Sequence, residues 1–337
     1  MLPITFDKDK TLIVKGFAIL FMMILHCLAN SEWYDIRFAM FDIPNFERIF
    51  STFKICVGMF TFMVGYGYAF SKSKNLQYSW DHTTKLLTPF WIVLFVFTIP
   101  LCDNIDGENL LKNMFGVNST LNYFSWFVYF YVYAMIVMPL LSRMIDRKWW
   151  LAIIVIGVSF ACEVAIHSFS DWKNSDYLSA LFNCFMQTPC MILGYLFAKH
   201  RLFERVPLPD NKFLICAMSL LCAVMALVLR YAKSAVLGFS LSVVYAPMMI
   251  FAIVALFSCC KMRYTSIALK KLGELSVYMW FLHALFFTEV VRAFYQPLIL
   301  ISDNLFVVTL WTILLTTIMA FVLKSAVDGL QRLIYKR

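Results

Sequence analysis

Charge is what this 337-residue sequence has least of: Asp, Glu, Lys and Arg make up 15% of it, against about 25% in soluble domains. Hydrophobic residues fill 62% of the chain and the mean hydropathy is +0.76. That balance excludes a water-soluble globular fold and implies a polytopic integral membrane protein. Long polar connections are missing too; the largest, 31–49 and 102–120, hold 19 residues each. No repeat, low-complexity linker or appended soluble domain is apparent, so residues 1–337 read as a single transmembrane domain. The first apolar stretch is too long for a cleavable leader, and no small-residue cleavage site follows it. The ten cysteines show neither a disulfide framework nor metal-ligand spacing, and nine lie in or beside apolar stretches. They read as small hydrophobes, with no metal expected.

What the chain does have is apolar runs of membrane length. A hydrocarbon core of about 30 Å needs about 20 apolar residues per helix. Ten stretches qualify: 11–30, 50–70, 85–101, 121–141, 149–167, 177–198, 212–230, 235–258, 270–291 and 304–326. The fold class expected is therefore all-α with about ten transmembrane helices. On that scheme 21 of the 29 Lys and Arg residues fall on one side, which places both termini in the cytosol by the positive-inside rule. The net charge of +9 follows from these loops, which face a bilayer leaflet, and no nucleic-acid partner is expected.

Ionisable residues inside a membrane are costly and point to function. The first stretch, TLIVKGFAILFMMILHCLAN, carries Lys15 and His26. Eleven helical steps bring them within about 20° of one face and about 16 Å apart along the axis. His283 lies in LSVYMWFLHALFF on a span expected to run the same way, so the two His side chains can meet at one depth. Glu163 and Glu289 are placed toward the outer ends of their spans. His82 and Lys85 are assigned to a cytosolic connection. A bland account also stands: Lys15 snorkels to the headgroups and His26 bonds a neighbouring helix.

The Lys15-to-His26 spacing resembles the R/K-x10-H pattern of the bacterial membrane-bound acyltransferase-3 proteins, which act as polysaccharide O-acyltransferases. Three further stretches resemble that family in the right order: MVGYGYAFSKSK (63–74), WFVYFYVYAMIVMPLL (126–141) and LGELSVYMWFLHALF (272–286). One departure is clear. The family commonly carries Arg-x-x-Arg before a Pro ahead of its third span, whereas DHTTKLLTPFW has His82 and Lys85 before Pro89. Lys85 can meet a phosphate, but as a point charge without the fork of Arg.

The resemblance implies transfer of an acyl group, usually acetyl, from cytosolic acyl-CoA to a hydroxyl of a glycan or lipid-linked saccharide. It implies a multi-pass protein of the bacterial inner membrane, with acyl-CoA as donor substrate and no permanently bound cofactor. On that reading Lys15, Lys72, Lys74 and Lys85 meet the CoA phosphates, and His26 is the general base. Ser276, Tyr278, Trp126 and His283 are candidate oxyanion donors, and Trp126 and Glu163 candidate acceptor contacts. The aromatics Trp33, Tyr34, Tyr123, Phe124 and Trp126 suit sugar stacking or an interfacial belt. A proton-coupled transporter or flippase using His26, His283, Glu163 and Glu289 is the alternative, although no internal repeat of the kind transporters often carry is visible.

Overall fold

The computed structural model describes residues 4–29, 46–71, 73–236, 241–260 and 262–334. Among these residues the secondary structure is helical, with no strand. In chain order the helices are α1 (Lys8–Leu28), α2 (Phe46–Phe50), α3 (Ile55–Ala69), α4 (Leu76–Ile92), α5 (Gly107–Met114), α6 (Trp126–Arg147) and α7 (Leu151–His167). They continue as α8 (Asp176–Lys199), α9 (Lys212–Val236), α10 (Ser242–Cys259), α11 (Arg263–His283), α12 (Glu289–Tyr295) and α13 (Leu305–Ile334). Polar caps start several of them. The Asp7 carboxylate accepts the Lys10 amide at 2.9 Å, and Asn75 accepts that of Tyr78 at 3.0 Å, each satisfying a donor the first turn leaves open.

Among the described residues eight helical runs are long and apolar enough to cross a bilayer: Lys8–Leu28, Phe46–Ala69, Leu76–Leu101, Trp126–Arg147, Asp176–Lys199, Lys212–Ala232, Ser242–Cys259 and Leu305–Gly329. The other two stretches differ from the expectation. Within 270–291 the chain does not run straight: Arg263–Phe286 and Glu289–Leu298 meet at an 88° bend. Over 149–167 the helix has 17 residues, a rise of about 25 Å against a core of about 30 Å. The third run also begins earlier than its apolarity indicates. Asn75 caps α4, so the polar segment LQYSWDHTTK is its first half, and His82 and Lys85 sit on a helix rather than in a connection.

α1 lies at the centre, packed chiefly on α11 and also on α3, α13 and α10. By contrast only 17% of the apolar window of α9 is buried, against 56% for α1, so α9 is a peripheral helix. Its Phe213, Leu220, Leu221 and Val228 face outward, as a lipid-facing surface requires. The α1–α11 approach is set by two glycines. A Cβ on Gly16 would overlap the Leu269 carbonyl oxygen, and one on Gly273 would overlap that of Leu12. Close backbone approach through small residues is the usual way membrane helices gain packing without a hydrophobic driving force. Elsewhere Asp146 of α6 gathers Lys199 at 2.8 Å, Lys74 at 3.3 Å and the Tyr195 hydroxyl at 2.7 Å, tying α6, α8 and the segment after α3 together.

Candidate functional site

The glycine crossing determines what happens ten residues further along each helix. Gly16 precedes His26 by the same interval that separates Gly273 from His283. Since α1 and α11 run side by side, that shared spacing brings the two rings to one level, and His26 Nδ1 lies 2.8 Å from His283 Nε2. The proton positions follow from the neighbours. His283 Nδ1 is 3.0 Å from the Met279 carbonyl oxygen, which only accepts, so Nδ1 carries the hydrogen. In a neutral imidazole the other nitrogen then has a lone pair. His283 Nε2 therefore accepts the Nδ1–H of His26, which leaves the lone pair of His26 on Nε2. That nitrogen is a base.

Phe124 covers the pair. Its ring stacks on His26 at 3.6 Å between centroids with 1° between planes, and lies 5.0 Å from His283 at 3°. The segment carrying Phe124 is pinned to α11 on both sides. Trp280 Nε1 donates to the Phe124 carbonyl at 3.2 Å, and Asn122 Nδ2 donates to that of Phe281 at 3.1 Å. The Tyr123 amide donates to the Thr288 hydroxyl at 3.0 Å, and the Leu121 amide to the buried Asn113 side chain at 2.8 Å. The imidazole of His26 is thus fixed on one edge by His283 and on one face by Phe124.

A cavity of about 980 Å³ opens against His26. It follows one face of α1 from Lys15 to His26 and is lined at the Lys15 end by His82 and Lys85, and beside His26 by Trp126 and Tyr123. Tyr78 stacks on His82 at 3.8 Å and its carbonyl lies 2.9 Å from His82 Nδ1, which holds that ring in place. Lys54 and Arg230 line the cavity as well, and Lys54 is within electrostatic reach of His26. Among the described residues lining it are four Lys or Arg side chains, two His and no Asp or Glu. A concave, low-dielectric surface of one sign concentrates ligands of the other, so the cavity suits anions.

Of the residues singled out by sequence, the structure brings His26, Lys15, His82, Lys85, Tyr123, Phe124, Trp126 and Ser276 to the cavity, and His283 against His26. The remaining described ones lie elsewhere. Ser276 lines the cavity, yet its hydroxyl already donates to the Gly273 carbonyl at 2.9 Å. Tyr278 is two residues on, about 200° around the helix, and sits toward Lys324 and Asp328 of α13 rather than in the cavity. Lys74 is drawn away by Asp146 and Tyr195, and Lys72, Trp33 and Tyr34 lie outside the described residues. Glu163 is buried on α7, which packs on α8, and Glu289 is exposed at the start of α12; neither lines the cavity. The proton relay of a transporter therefore lacks its carboxylates at the His pair.

Some of the site was missed by sequence reasoning. Phe124 reads from the sequence as a sugar-stacking or interfacial aromatic rather than as the cover of the His pair, and Lys54 is not singled out. The repeated Gly-to-His interval on the two helices adds a second signal to the shared depth at which His26 and His283 are expected to meet. Away from the cavity, the thiols of Cys216, Cys259 and Cys260 lie within 4.8 Å of one another where α9 begins and α10 ends. They form a three-thiol group able to hold a soft metal ion, which sequence spacing did not suggest because 44 residues separate Cys216 from Cys260. Comparison with curated proteins and with solved structures finds no match. Residues 13–326 do match the acyltransferase-3 family over its acyltransferase domain, and the chain belongs to that family.

Proposed function

We propose that this membrane acyltransferase moves an acyl group, acetyl in the simplest case, from acyl-CoA at the cytosolic side to a hydroxyl of a glycan or lipid-linked saccharide. Its setting on this reading is the bacterial cytoplasmic membrane, and its product an O-acetylated surface polysaccharide or precursor. The observation that carries the proposal is the single cavity joining Lys15, His82 and Lys85 at one end to His26 at the other. Coenzyme A is polyanionic at its nucleotide end and carries its thioester at the far end of an extended pantetheine arm. Lys15 and Lys85 meet the phosphates, and the arm follows the face of α1 to the His pair.

The chemistry then needs a base and an anion acceptor. The acceptor hydroxyl gives its proton to His26 Nε2 as its oxygen attacks the thioester carbonyl. His283 Nε2 takes the hydrogen bond of His26 Nδ1–H, which strengthens as the imidazolium forms. Trp126 lines the cavity, and on this reading its indole N–H donates to the developing oxyanion. Collapse expels the CoA thiolate, which takes the proton back from His26. An acyl-His26 intermediate would use the same Nε2 lone pair and is the stepwise version of this route.

The test is transfer of radiolabelled acetyl from acetyl-CoA to extractable glycan in membranes bearing wild type or His26→Ala. Removal of the base is expected to lower the rate by about 10²–10⁴-fold. Equal labelling in the two would remove His26 from the mechanism.

A further inference from the structure

The cavity carries a second pair of cations that the donor does not need. Lys54 ends the 3-10 turn Ser51–Lys54 ahead of α3, and Arg230 sits near the end of α9. Both line the cavity, within electrostatic reach of each other, and Lys54 is also within reach of His26. Among the described residues neither makes an ion pair with a carboxylate. Arg48 of α2 adds a third positive charge nearby, its guanidinium 4.4 Å over the ring of Tyr231, the residue after Arg230. Two like charges on one cavity wall repel each other, and an anion bound between them relieves that repulsion.

The phosphates of CoA cannot be that anion while its thioester is at His26. Phosphates and thioester occupy opposite ends of the donor, and Lys54 is at the thioester end. We propose that Lys54 and Arg230 form an oxyanion subsite for a phosphate or carboxylate that the acyl acceptor carries close to the hydroxyl it offers to His26. Arg230 supplies a planar fork of parallel N–H donors and Lys54 a mobile point charge, the combination suited to a tetrahedral or planar oxyanion. The acceptor class is then narrowed to anionic molecules: a saccharide on a lipid phosphate, a phosphate-bearing polymer unit or an acidic sugar. The word acceptor here rests on the acyl-transfer reading; the subsite itself is defined by charge and place.

The experiment reads binding, so it does not depend on turnover. Full-length protein in phosphatidylcholine nanodiscs is titrated with geranyl phosphate, inorganic phosphate, glucuronate and coenzyme A, and compared with discs containing phosphatidylglycerol. Wild type is set beside Lys54→Gln, Arg230→Gln, Lys54→Arg and Lys85→Gln, with ligand-free melting temperatures as the check on folding. The expected result is saturable binding of at least one of the first three anions, weakened about tenfold or more in either Lys54→Gln or Arg230→Gln and kept within about threefold in Lys54→Arg. Which anion responds separates lipid-borne phosphate, free phosphate and sugar carboxylate. Coenzyme A affinity is expected to fall in Lys85→Gln and to hold in the other variants. The subsite is overturned by anion affinities unchanged across the variants, by no anion binding at all, by loss of coenzyme A binding in Lys54→Gln, or by a response confined to phosphatidylglycerol discs. Wild type that binds the anions but not coenzyme A would instead sink the acyl-CoA reading and leave the subsite standing.

Discussion

At the scale of single residues the site turns on which nitrogen of each imidazole holds a proton. The Met279 carbonyl decides it for His283, and His283 decides it for His26. His283 does not line the cavity, so on the proposed mechanism it acts through His26 as a positioning residue and not as a second base. That assignment makes a prediction with two parts. Replacing His283 by Leu leaves His26 Nδ1–H without its acceptor and removes a hydrogen bond to a group that becomes charged, a loss of about 1.5–3 kcal/mol, or about 10–100-fold in kcat. The KM for acyl-CoA should stay within about twofold, since on the proposed mechanism the donor phosphates bind at the other end of the cavity. In His283→Gln an amide oxygen can accept the same hydrogen, and the kcat should recover by about tenfold over the Leu variant. A steady-state comparison of the two variants checks both; no difference between them would mean that His283 only fills space.

At the scale of helices the decisive contact is the crossing of α1 and α11. Gly273→Leu forces a side chain against the Leu12 carbonyl, an overpacking that costs about 1–3 kcal/mol and separates the helices. Because His26 and His283 are carried on those helices, the variant is expected to lose most of its activity with both His residues intact. A lowered melting temperature together with the activity loss would confirm the crossing as the cause, and full activity would refute it. The same contact shows what was legible in the sequence. Apolarity located eight of the ten expected stretches as helices long enough to span, but it could not see the bend within 270–291 or the short helix at 149–167. The Lys15-to-His26 interval put both residues on one face, because period and length are local properties. Helix pairing is not local. Nothing in the composition distinguishes the α1–α11 partnership from other possible ones, so Tyr278 and Ser276 could be grouped together although they point to different neighbours. Polar helix starts mislead for a related reason: His82 and Lys85 looked like loop residues because the first half of α4 is polar, yet its Asn75 cap and helical continuation bring them to the cavity wall.

At the scale of the whole molecule the proposed function raises the question of how two polar substrates meet inside a bilayer. A pocket open at one mouth would require donor and acceptor to enter in turn from the same side. The cavity runs along α1, and its cations are divided between Lys15 and Lys85 at one end and Lys54 and Arg230 toward His26. The arrangement suits entry of two anions from opposite faces, with the His pair as the meeting point. Accessibility of each end is the direct check. In a background lacking the solvent-reachable native cysteines, Lys85→Cys and Lys54→Cys variants are treated with a membrane-impermeant maleimide in sealed vesicles of each orientation. The Lys85→Cys variant is expected to label from the cytosolic face alone, with acetyl-CoA slowing the reaction by about tenfold, and the Lys54→Cys variant from the opposite face alone, without that protection. Labelling of both from one face would make the cavity a one-sided pocket, and on the acyl-CoA reading the acceptor would then have to reach His26 past a donor bound at Lys15 and Lys85.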